Sequence, residues 1–460
     1  MIAAGTALAA LMAAVLPAGP AAQEPDRPGA FVAEAGRLLA EDLFEDALDR
    51  ANAAVDRWPS SPDAQVVRAD ALYRRGDFPE AEAGYRRAAE LDPGHAAAHF
   101  GIGRIERTLG RYAEAAASFS RAAALAPDVP RHLRVLANHL ARRQDAVAML
   151  ERYLELVRSA PDRGGEDEAA ARNVEAWLAL LRSLGDRPLS RAARQEPCSV
   201  PLQIRRGQPS LRLDVGGLRK QTFVFDTGAT GVTVSPRIAA REKLQAIRPF
   251  TIHGTGAERT ETGDLVLLPR LAVGEGIVLE NVPATVRDPT GAEEGLIGPA
   301  LFSAFNVRVD LKGRRLSFLP AGPAPRGRAE PFRNVGGQIM IRASINGVPF
   351  NAMVDTGASS TMIGRTAVAR VPGLEALPGE WFPGTVAGIG GPVAGRKVIA
   401  SGTLAFAGRS HSAGGLISAD FSHFSKALES EVYILLGSSH LDDAPFTIDY
   451  GAMTVTFERP

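Results

Sequence analysis

Two closely similar stretches, FVFDTGAT at 223–230 and AMVDTGAS at 352–359, place an Asp-Thr-Gly turn directly after an apolar run. The two turns are 129 residues apart in a chain of 460 residues. A single Asp-Thr-Gly is weak evidence, since average residue usage gives about one chance occurrence in ten chains of this length. Two such turns, each preceded by residues of strand-like composition, need a common explanation.

The sequences around the two turns are also related. GLRKQTFVFDTGATGVTVSPRIAAR (217–241) parallels GVPFNAMVDTGASSTMIGRTAVAR (347–370), and GLIGPALFSAFNVRVDLKGRRLSF (295–318) parallels YILLGSSHLDDAPFTIDYGAMTVTF (433–457). A glycine and an aspartate of the later blocks are twelve residues apart in both copies. Matching sequences at matching spacings indicate an internal duplication. Short alternating apolar runs, separated by glycine and proline, predict β-strands and turns throughout this part of the chain.

The duplicated pattern resembles the aspartic peptidases, specifically the retroviral-type or retropepsin-like lobe, here twice in one chain. The resemblance covers about 260 residues, from 199 to 460. It implies two all-β lobes and a protein or peptide substrate bound in extended form. It also implies that the apolar pair before Gly298, and the one before Gly437, packs beneath the catalytic loop of its lobe.

Two copies of the turn are what the chemistry requires. Peptide hydrolysis without a metal or a nucleophilic side chain needs an activated water and an acid for the carbonyl oxygen. Two carboxyl groups about 3 Å apart meet both needs, because they cannot both ionise and therefore share one proton. Since each lobe contributes one carboxyl group, we predict that Asp226 and Asp355 form a catalytic dyad that titrates as one unit.

The resemblance also implies roles for the residues that follow each aspartate. Thr227 and Thr356 would form hydrogen bonds across a pseudo-twofold axis and lock the two loops together. Gly228 and Gly357 would let the backbone pass close to the carboxyl groups, where a Cβ would collide. Both turns continue with alanine, and the lack of a hydroxyl group there predicts a working pH closer to neutral than that of pepsin.

Lobes of this type also need a flap, a glycine-rich hairpin that closes over the substrate and excludes water. Two glycine-rich segments follow the two aspartates at similar distances, HGTGAER at 253–259 and VAGIGGPVAG at 386–395. The candidate tip residues in these segments are Gly254, Gly256, Gly388 and Gly390. An ordinary hairpin loop is the alternative interpretation of both segments.

The first third of the chain carries a repeat of 34 residues. Its most regular marker is a set of four prolines, Pro59, Pro93, Pro127 and Pro161. Small alanines at packing positions and a proline at the exit of each helix pair resemble the tetratricopeptide repeat. This resemblance predicts a superhelix of stacked helical hairpins over 28–161, capped by an amphipathic helix at 166–185. The concave face of such an array would bind a peptide or a partner protein. A structural spacer or a dimerisation arm is the alternative.

Residues 1–22 resemble an export signal, because a stretch of small and apolar residues ends in prolines and a small-residue cleavage region. No Lys or Arg precedes the apolar stretch, and a misassigned start or a fraying apolar tail is the alternative. The stretch is short for a bilayer span, so we expect membrane association only if the signal stays uncleaved. An exported tetratricopeptide array joined to such lobes looks like a group of bacterial periplasmic retropepsin-like proteases.

Composition argues against several other classes of function. Lys+Arg and Asp+Glu are equal at 52 each, so the chain lacks the basic excess that is typical of nucleic-acid binding. The single cysteine, Cys198, has no basic residue or histidine next to it in sequence, and it cannot form an internal disulfide. The eight histidines show no metal-ligand spacing. We therefore expect no nucleic-acid partner, no cofactor and no metal.

These observations predict a multidomain chain in which an all-α tetratricopeptide-type superhelix precedes an all-β aspartic-protease fold with two related lobes. The predicted segments are a signal peptide at 1–22, repeats at 28–161, a capping helix and linker at 162–198, a first lobe at 199–319, a linker at 320–332 and a second lobe at 333–460. The expected activity is that of an exported aspartic endopeptidase whose repeats recruit a protein substrate or partner. A variant of this hypothesis pairs the lobes between two chains. A catalytically inactive periplasmic scaffold or peptide-binding protein is the alternative.

Overall fold

The structure is a computed structural model that describes residues 28–41, 43–140, 142–160, 165–252, 261–288, 293–322, 326–374, 376–378, 387–388, 391–392 and 397–458. The predicted signal peptide at 1–22 lies outside these residues. Helices form the first part of the described chain, and strands dominate the second part. The predicted fold class, a helical array followed by two β-rich lobes, is confirmed.

Within the described residues, nine helices form the N-terminal array. Their bounds are α1 Pro28–Ala40, α2 Phe44–Arg57, α3 Pro62–Arg75, α4 Phe78–Leu91, α5 Ala96–Thr108, α6 Tyr112–Leu125, α7 Pro130–Ala137, α8 Arg143–Ser159 and α9 Gly165–Leu184. Each helix packs against the next one along the chain. The last helix, α9, coincides with the stretch predicted to cap the array.

Helix α3 shows how the local sequence sets the boundaries of a repeat. Ser61 caps its first turn, because its Oγ accepts a hydrogen bond from the amide of Ala64 at 3.3 Å. Pro62 follows at the first helical position, where its missing N–H is no loss. Gly76 ends the helix at a φ of +86°, a left-handed conformation that glycine adopts without strain.

The first lobe, lobe 1, is built on a nine-stranded sheet. The strands up to its end are β1 Arg191–Gln195, β2 Cys198–Pro201, β3 Gln203–Arg205, β4 Gln208–Val215, β5 Leu218–Phe225, β6 Val232–Val234, β7 Arg248–Ile252, β8 Glu261–Val273, β9 Ile277–Val286, β10 Gly295–Ile297, β11 Asn306–Asp310 and β12 Arg315–Leu319. The sheet order is β1-β9-β6-β10-β5-β4-β8-β7, with β3 on β4. Because β8 also pairs with β9, the sheet closes on itself. A short helix, α10 Pro236–Arg241, follows β6.

The second lobe, lobe 2, repeats this plan in a ten-stranded sheet. Its strands and those leading to it are β13 Gly327–Pro331, β14 Arg333–Val335, β15 Gln338–Ile345, β16 Val348–Val354, β17 Met362–Gly364, β18 Ala376–Pro378, β19 Ala387–Gly388, β20 Gly391–Pro392, β21 Lys397–Ile399, β22 Thr403–Phe406, β23 Arg409–Ser412, β24 Ile417–Ala419, β25 Ile434–Leu436, β26 Phe446–Asp449 and β27 Thr454–Glu458. The sheet order is β18-β21-β24-β17-β25-β16-β15-β22-β23, with β14 on β15. Its helices are α11 Arg365–Arg370, α12 Ser422–Leu428 and α13 Ser438–Leu441.

A six-stranded sheet joins the two lobes in the order β13-β27-β26-β11-β12-β2. At its centre β11 of lobe 1 pairs antiparallel with β26 of lobe 2, with Val307 opposite Ile448. One of its edge strands, β13, lies within 320–332, which the sequence predicted to be a linker. Five residues of this connection therefore belong to the sheet that holds the lobes together.

The helical array packs on both lobes. Helices α1–α5 share one apolar core with lobe 2, in which Tyr73 and Ile105 of the array are buried with Met340 and Met353. Helices α5–α9 form a second core, in which Leu265 of lobe 1 is buried. The array therefore bridges the two lobes, and most of the free energy of these contacts comes from removing apolar surface from water.

Polar contacts add to the apolar core between the array and lobe 2. Glu429 of lobe 2 forms ion pairs with Arg104, at 3.3 Å, and with Arg131 of the array. The side-chain amide of Asn351 donates to the carbonyl oxygen of Gly76 at 3.0 Å. Because these groups come from α3, α5 and α7, lobe 2 covers one face of the array across several repeats.

Within the part of the chain that the structure describes, no helix has the length and apolarity of a bilayer span. The same residues contain no group of three or more His, Cys, Asp or Glu side chains arranged to hold a metal ion. Cys198 lies in β2, where burial raises the pKa of its thiol. A raised pKa lowers the thiolate fraction, which makes this residue a poor nucleophile.

Candidate active site

The two aspartates occupy the same structural position in each lobe. Asp226 follows β5, which pairs in parallel with β10, and its amide donates to the carbonyl oxygen of Ile297 at 3.0 Å. Asp355 follows β16, which pairs in parallel with β25, and its amide donates to the carbonyl oxygen of Leu436 at 2.9 Å. The apolar residues before Gly298 and before Gly437 therefore lie in the strand next to the one that carries the aspartate.

The fold brings the two carboxyl groups together at the contact between the lobes. Asp226 and Asp355 are 9% and 7% exposed, and their side chains are hydrogen-bonded to each other. Each carboxyl group also accepts a backbone hydrogen bond, from the amide of Gly228 at 2.8 Å and from that of Ala358 at 3.1 Å. Two ionised carboxyl groups at this distance would repel each other, so a hydrogen bond through a shared proton keeps the buried pair in contact.

Two threonines cross-link the loops symmetrically. The amide of Thr227 donates to Oγ1 of Thr356 at 3.0 Å, and the amide of Thr356 donates to Oγ1 of Thr227 at 2.8 Å. Each hydroxyl group then donates to a carbonyl oxygen of the opposite strand, that of Val354 at 2.8 Å and that of Phe225 at 2.7 Å. These four bonds fix the distance between the loops that carry the carboxyl groups.

The glycines after the threonines leave room for the opposite carboxyl group. A Cβ added at Gly357 would lie 2.3 Å from Cγ of Asp226, and one added at Gly228 would lie 2.8 Å from Cγ of Asp355. Both distances are shorter than real Cβ contacts allow. Any larger residue at either position would therefore push the carboxyl groups apart.

Two glutamines that the sequence analysis missed also cross the lobe boundary. The side-chain amide of Gln338 in lobe 2 donates to the carbonyl oxygen of Gly228 at 2.9 Å. The amide of Gln208 in lobe 1 donates in the same way to the carbonyl oxygen of Gly357. A Gly-Gln pair opens both β4 and β15, so aligning the two copies over their full length would have revealed the symmetry.

Burial dominates the electrostatics of the pair. It raises the pKa of Asp226, although the hydrogen bond from Asp355 opposes this rise. Burial together with the negative charge of Asp226 raises the pKa of Asp355 well above its usual range. The pair therefore holds one proton at a pH at which exposed carboxyl groups have lost theirs.

A buried arginine makes the surroundings of the two aspartates unequal. The positive charge of Arg287, which is 7% exposed, acts to lower the pKa of Asp226. Arg287 follows β9 in lobe 1, directly after the residue that pairs with Val234. In lobe 2 the corresponding position, after the partner of Ile363, is Ala419. The sequence gives no signal for Arg287, because the two copies are too divergent in this region for their residues to be matched.

The structure describes the flap candidates only in part. Gly254, Gly256 and Gly390 lie outside the described residues. The strands on either side of 253–260 form a hairpin in which Ile252 of β7 pairs with Glu261 of β8. Gly388 lies in β19 and pairs with Gly391 of β20 in a separate two-stranded sheet. Antiparallel strand pairs are thus described on both sides of 253–260 and within 386–395, and the role of these segments as flaps stays a prediction.

Comparison with known families agrees with this architecture. Residues 211–300 and 341–439 each match the family model of aspartyl proteases, and residues 32–96 and 66–130 match that of tetratricopeptide repeats. The search of curated proteins gives no significant match. The chain is therefore composed of tetratricopeptide repeats followed by two lobes of a retropepsin-like protease.

Similar solved structures include two that are described as the crystal structure of MamA and of MamA protein. They are 17% and 18% identical, both with a TM-score of 0.25, and cover 29% of this chain and 81% and 75% of theirs. A third is the first tetratricopeptide domain of Spaghetti (RPAP3) bound to the HSP90 peptide SRMEEVD, with 20% identity, a TM-score of 0.23 and coverage of 25% and 92%. Scores this low inform neither the arrangement of the whole chain nor its function.

Proposed function

We propose that this protein is an exported aspartic endopeptidase that hydrolyses peptide bonds with a water molecule activated by Asp226 and Asp355. The observation that carries the proposal is the buried, hydrogen-bonded pair of carboxyl groups, one from each lobe, whose pKa values are raised by burial. The match of both lobes to the aspartyl protease family supports the reaction class. No cofactor or metal is needed for this chemistry.

The proposed mechanism uses the single proton that the pair shares. The ionised carboxylate takes a proton from a water molecule, whose oxygen attacks the carbonyl carbon of the peptide bond. The protonated carboxyl group donates its proton to the carbonyl oxygen, so that a neutral diol forms. Collapse of the diol transfers a proton to the leaving nitrogen and returns the pair to its singly protonated state.

The lobes that supply the pair belong to one chain in this structure, joined by β11 and β26. The cross-linking threonines and glutamines hold them in register without a second molecule. This arrangement favours a single-chain enzyme over pairing of lobes between chains. Sedimentation of the purified protein, with activity measured at the same concentrations, tests this part of the proposal.

The decisive test of the activity is digestion of an unfolded protein by the wild type, by Asp226→Asn and by Asp355→Asn. We expect cleavage by the wild type, inhibition by a statine-type peptide and loss of cleavage in both variants, with unchanged circular dichroism. Loss in only one variant would contradict the shared-proton mechanism. No cleavage by the wild type would favour the scaffold or peptide-binding alternative.

The same reaction should run at a pH nearer neutral than that of pepsin. Alanine follows the glycine in both turns, so each carboxyl group has one hydroxyl donor fewer to stabilise its anion. A pH–rate profile with a maximum below about 3 would contradict this expectation.

Export and partner binding complete the proposal. The sequence of residues 1–22 supports export to the periplasm of a bacterium, and sequencing the N-terminus of the secreted protein tests it. We propose that the repeats bind a protein substrate or partner on surfaces that the lobes leave open. Comparing fragments of exported proteins between the wild type and an Asp226→Asn strain would identify the substrate.

A further inference from the structure

Strand β7 is an edge strand of lobe 1. It pairs with β8 on one side only and ends the order of the nine-stranded sheet. An edge strand presents backbone amides and carbonyl groups that need a partner. Here α9, the last helix of the array, packs directly against the open side of the strand.

A single side chain supplies both partners to the centre of this edge. The amide of Thr251 donates to Oδ1 of Asn173 at 2.7 Å, and Nδ2 of Asn173 donates to the carbonyl oxygen of Thr251 at 3.0 Å. The carboxamide group thus takes the place of a peptide group in a neighbouring strand. Thr251 is 6% exposed, so loss of either bond would leave a buried backbone group without its partner.

Apolar and charged contacts surround this pair. Phe250, Ile247 and Leu267 pack against the core that α8 and α9 form, in which Leu265 is 2% exposed. Arg248 lies 3.9 Å from Glu175, two residues after Asn173 in α9. The base of the hairpin is therefore attached to the array and not only to its own lobe.

A short path through the sheet leads from this attachment to the catalytic loop. Thr251 pairs with Thr262 of β8, and Asp264, two residues further on, pairs with Val286 of β9. Val286 in turn pairs with Val234 of β6, the strand that follows the Asp226 loop. A displacement of β7 would consequently be transmitted through β8 and β9 to β6, next to the Asp226 loop, while the threonine cross-links stay in place.

We infer that Asn173 is a positioning residue, whose amide holds strand β7 where lobe 1 contacts an extended substrate. The inference rests on the proposed function, and it gives the array a role in the activity of the lobes. The array fixes the position of β7 in lobe 1. In this role the array contributes to substrate affinity through its last helix. The chemical step depends on the dyad and is independent of Asn173.

The test compares Asn173→Ala and Asn173→Asp with Asn52→Ala. Asn52 is a matched control, because it also lies in an array helix but accepts its hydrogen bond from Arg68 of the array itself, at 2.8 Å. Two measurements are made on each full-length variant. The first is hydrogen–deuterium exchange of the peptide 248–252, and the second is KM and kcat for an extended peptide substrate.

We expect Asn173→Ala to accelerate exchange of the Thr251 amide about tenfold, the effect of losing one buried hydrogen bond. KM should rise about threefold to tenfold, while kcat should change by less than about twofold. Asn173→Asp keeps an acceptor for the Thr251 amide but loses the donor. It should raise KM with a smaller change in exchange, and Asn52→Ala should leave both measurements unchanged.

Two results would overturn the inference. Unchanged exchange in Asn173→Ala would show that the amide does not hold β7, and faster exchange with unchanged KM would show that the position of β7 does not matter for substrate. A wild type without peptidase activity would be a different outcome, because exchange is measured without substrate. It would refute the proposed function and the role in substrate binding together, even if the exchange result held.

Discussion

Lobe 1 and lobe 2 present the same groups to each other but differ in what lies behind those groups. Each supplies one aspartate, one threonine and one glutamine across the axis, with nearly equal hydrogen bonds. Behind the aspartates, lobe 1 has the buried cation of Arg287 where lobe 2 has Ala419. The array holds lobe 2 through a wide apolar core and an ion-pair network, and it holds lobe 1 through one hairpin.

This comparison distinguishes residues that contact their own copy across the axis from residues that do not. Residues that must meet their own copy across the axis are retained in both lobes, because a change on one side would leave the other without its partner. Residues that face away from the axis have diverged, since nothing couples one copy to the other. The divergence gives two chemically identical carboxyl groups unequal surroundings, because the charge of Arg287 favours ionisation of Asp226.

The largest expected effect tests the symmetric part of the comparison. Asp226→Asn and Asp355→Asn should each lower kcat/KM by at least about a thousandfold, because either change removes the shared proton cycle. Kinetics on a fluorogenic peptide measures this effect, with the exposed Asp442→Asn as control. A residual activity that differs greatly between the two variants would show that the lobes are not equivalent in the chemistry.

Asp355→Asn should stabilise the folded protein, although it should abolish the activity. Because burial raises the pKa of Asp355, unfolding releases its proton, and the folded state becomes less stable as the pH rises above the unfolded value of about 4. Asp355→Asn removes this cost, so its melting temperature at pH 7 should exceed that of the wild type. Thermal unfolding at pH 4 and pH 7 checks this, and the gain should be smaller at pH 4.

Gln338→Ala and Gln208→Ala should each lower kcat/KM about tenfold. Each change leaves the carbonyl oxygen of a catalytic glycine without its donor, at a cost of about 1–2 kcal/mol. Gln221→Ala is the matched control, because the side-chain amide of Gln221 donates to the carbonyl oxygen of Arg219 at an exposed position of lobe 1. A much larger loss of kcat/KM in one variant than in the other would show that the two glutamine hydrogen bonds are symmetric in geometry but contribute unequally to activity.

Glu429→Gln tests the contact between the array and lobe 2. The pKa of Glu429 is lowered to about 2, because Arg104 and Arg131 outweigh the burial that opposes ionisation. Its side chain is 38% exposed, so we expect a loss of only about 1–2 kcal/mol of unfolding free energy at pH 7. This contribution is present above the unfolded pKa of about 4.3 and disappears as the pH falls toward 2.

Urea unfolding at pH 7 and pH 3 measures the size and the pH dependence of that contribution. The exposed Glu80→Gln, in α4 of the array, serves as control. An equal loss at both pH values would mean that the ion pairs with the arginines do not account for the effect.

The smallest expected effect tests the asymmetry directly. Removing the charge in Arg287→Met should raise the pKa of Asp226, so the acidic limb of the pH–rate profile should move to higher pH. Arg287→Lys keeps the charge and should leave the limb near its original position. A profile that moves in neither variant would mean that this cation does not distinguish the two aspartates.

How much of this arrangement the sequence could predict depends on the range of each interaction. The repeats, the duplication and the positions of Asp226 and Asp355 follow from local patterns, because spacing and composition encode helices, strands and turns directly. The glutamines also had a local signal, a Gly-Gln pair in both copies, which was overlooked. The strand β13 was read as a linker, because glycine and proline in 320–332 masked a short edge strand.

The contacts of Asn173 and Glu429 had no such signal. Each joins residues that are 78 or about 300 positions apart and belongs to an interface between different folds. An asparagine on a helix, or a glutamate directly after one, is an ordinary surface residue by composition, and the docking of the array on the lobes brings it to these partners. Interactions between domains are set by surface shape, which a single sequence does not display.

The sheet between the lobes has a consequence for folding of the chain during its synthesis. Strands β26 and β27, at 446–458, complete that sheet, and β26 is the strand of lobe 2 that pairs with β11. While a ribosome still holds these residues, β11 lacks this partner strand. The sheet that joins the lobes can therefore form only after nearly all of the chain has been released, and the proposed peptidase activity would begin only then.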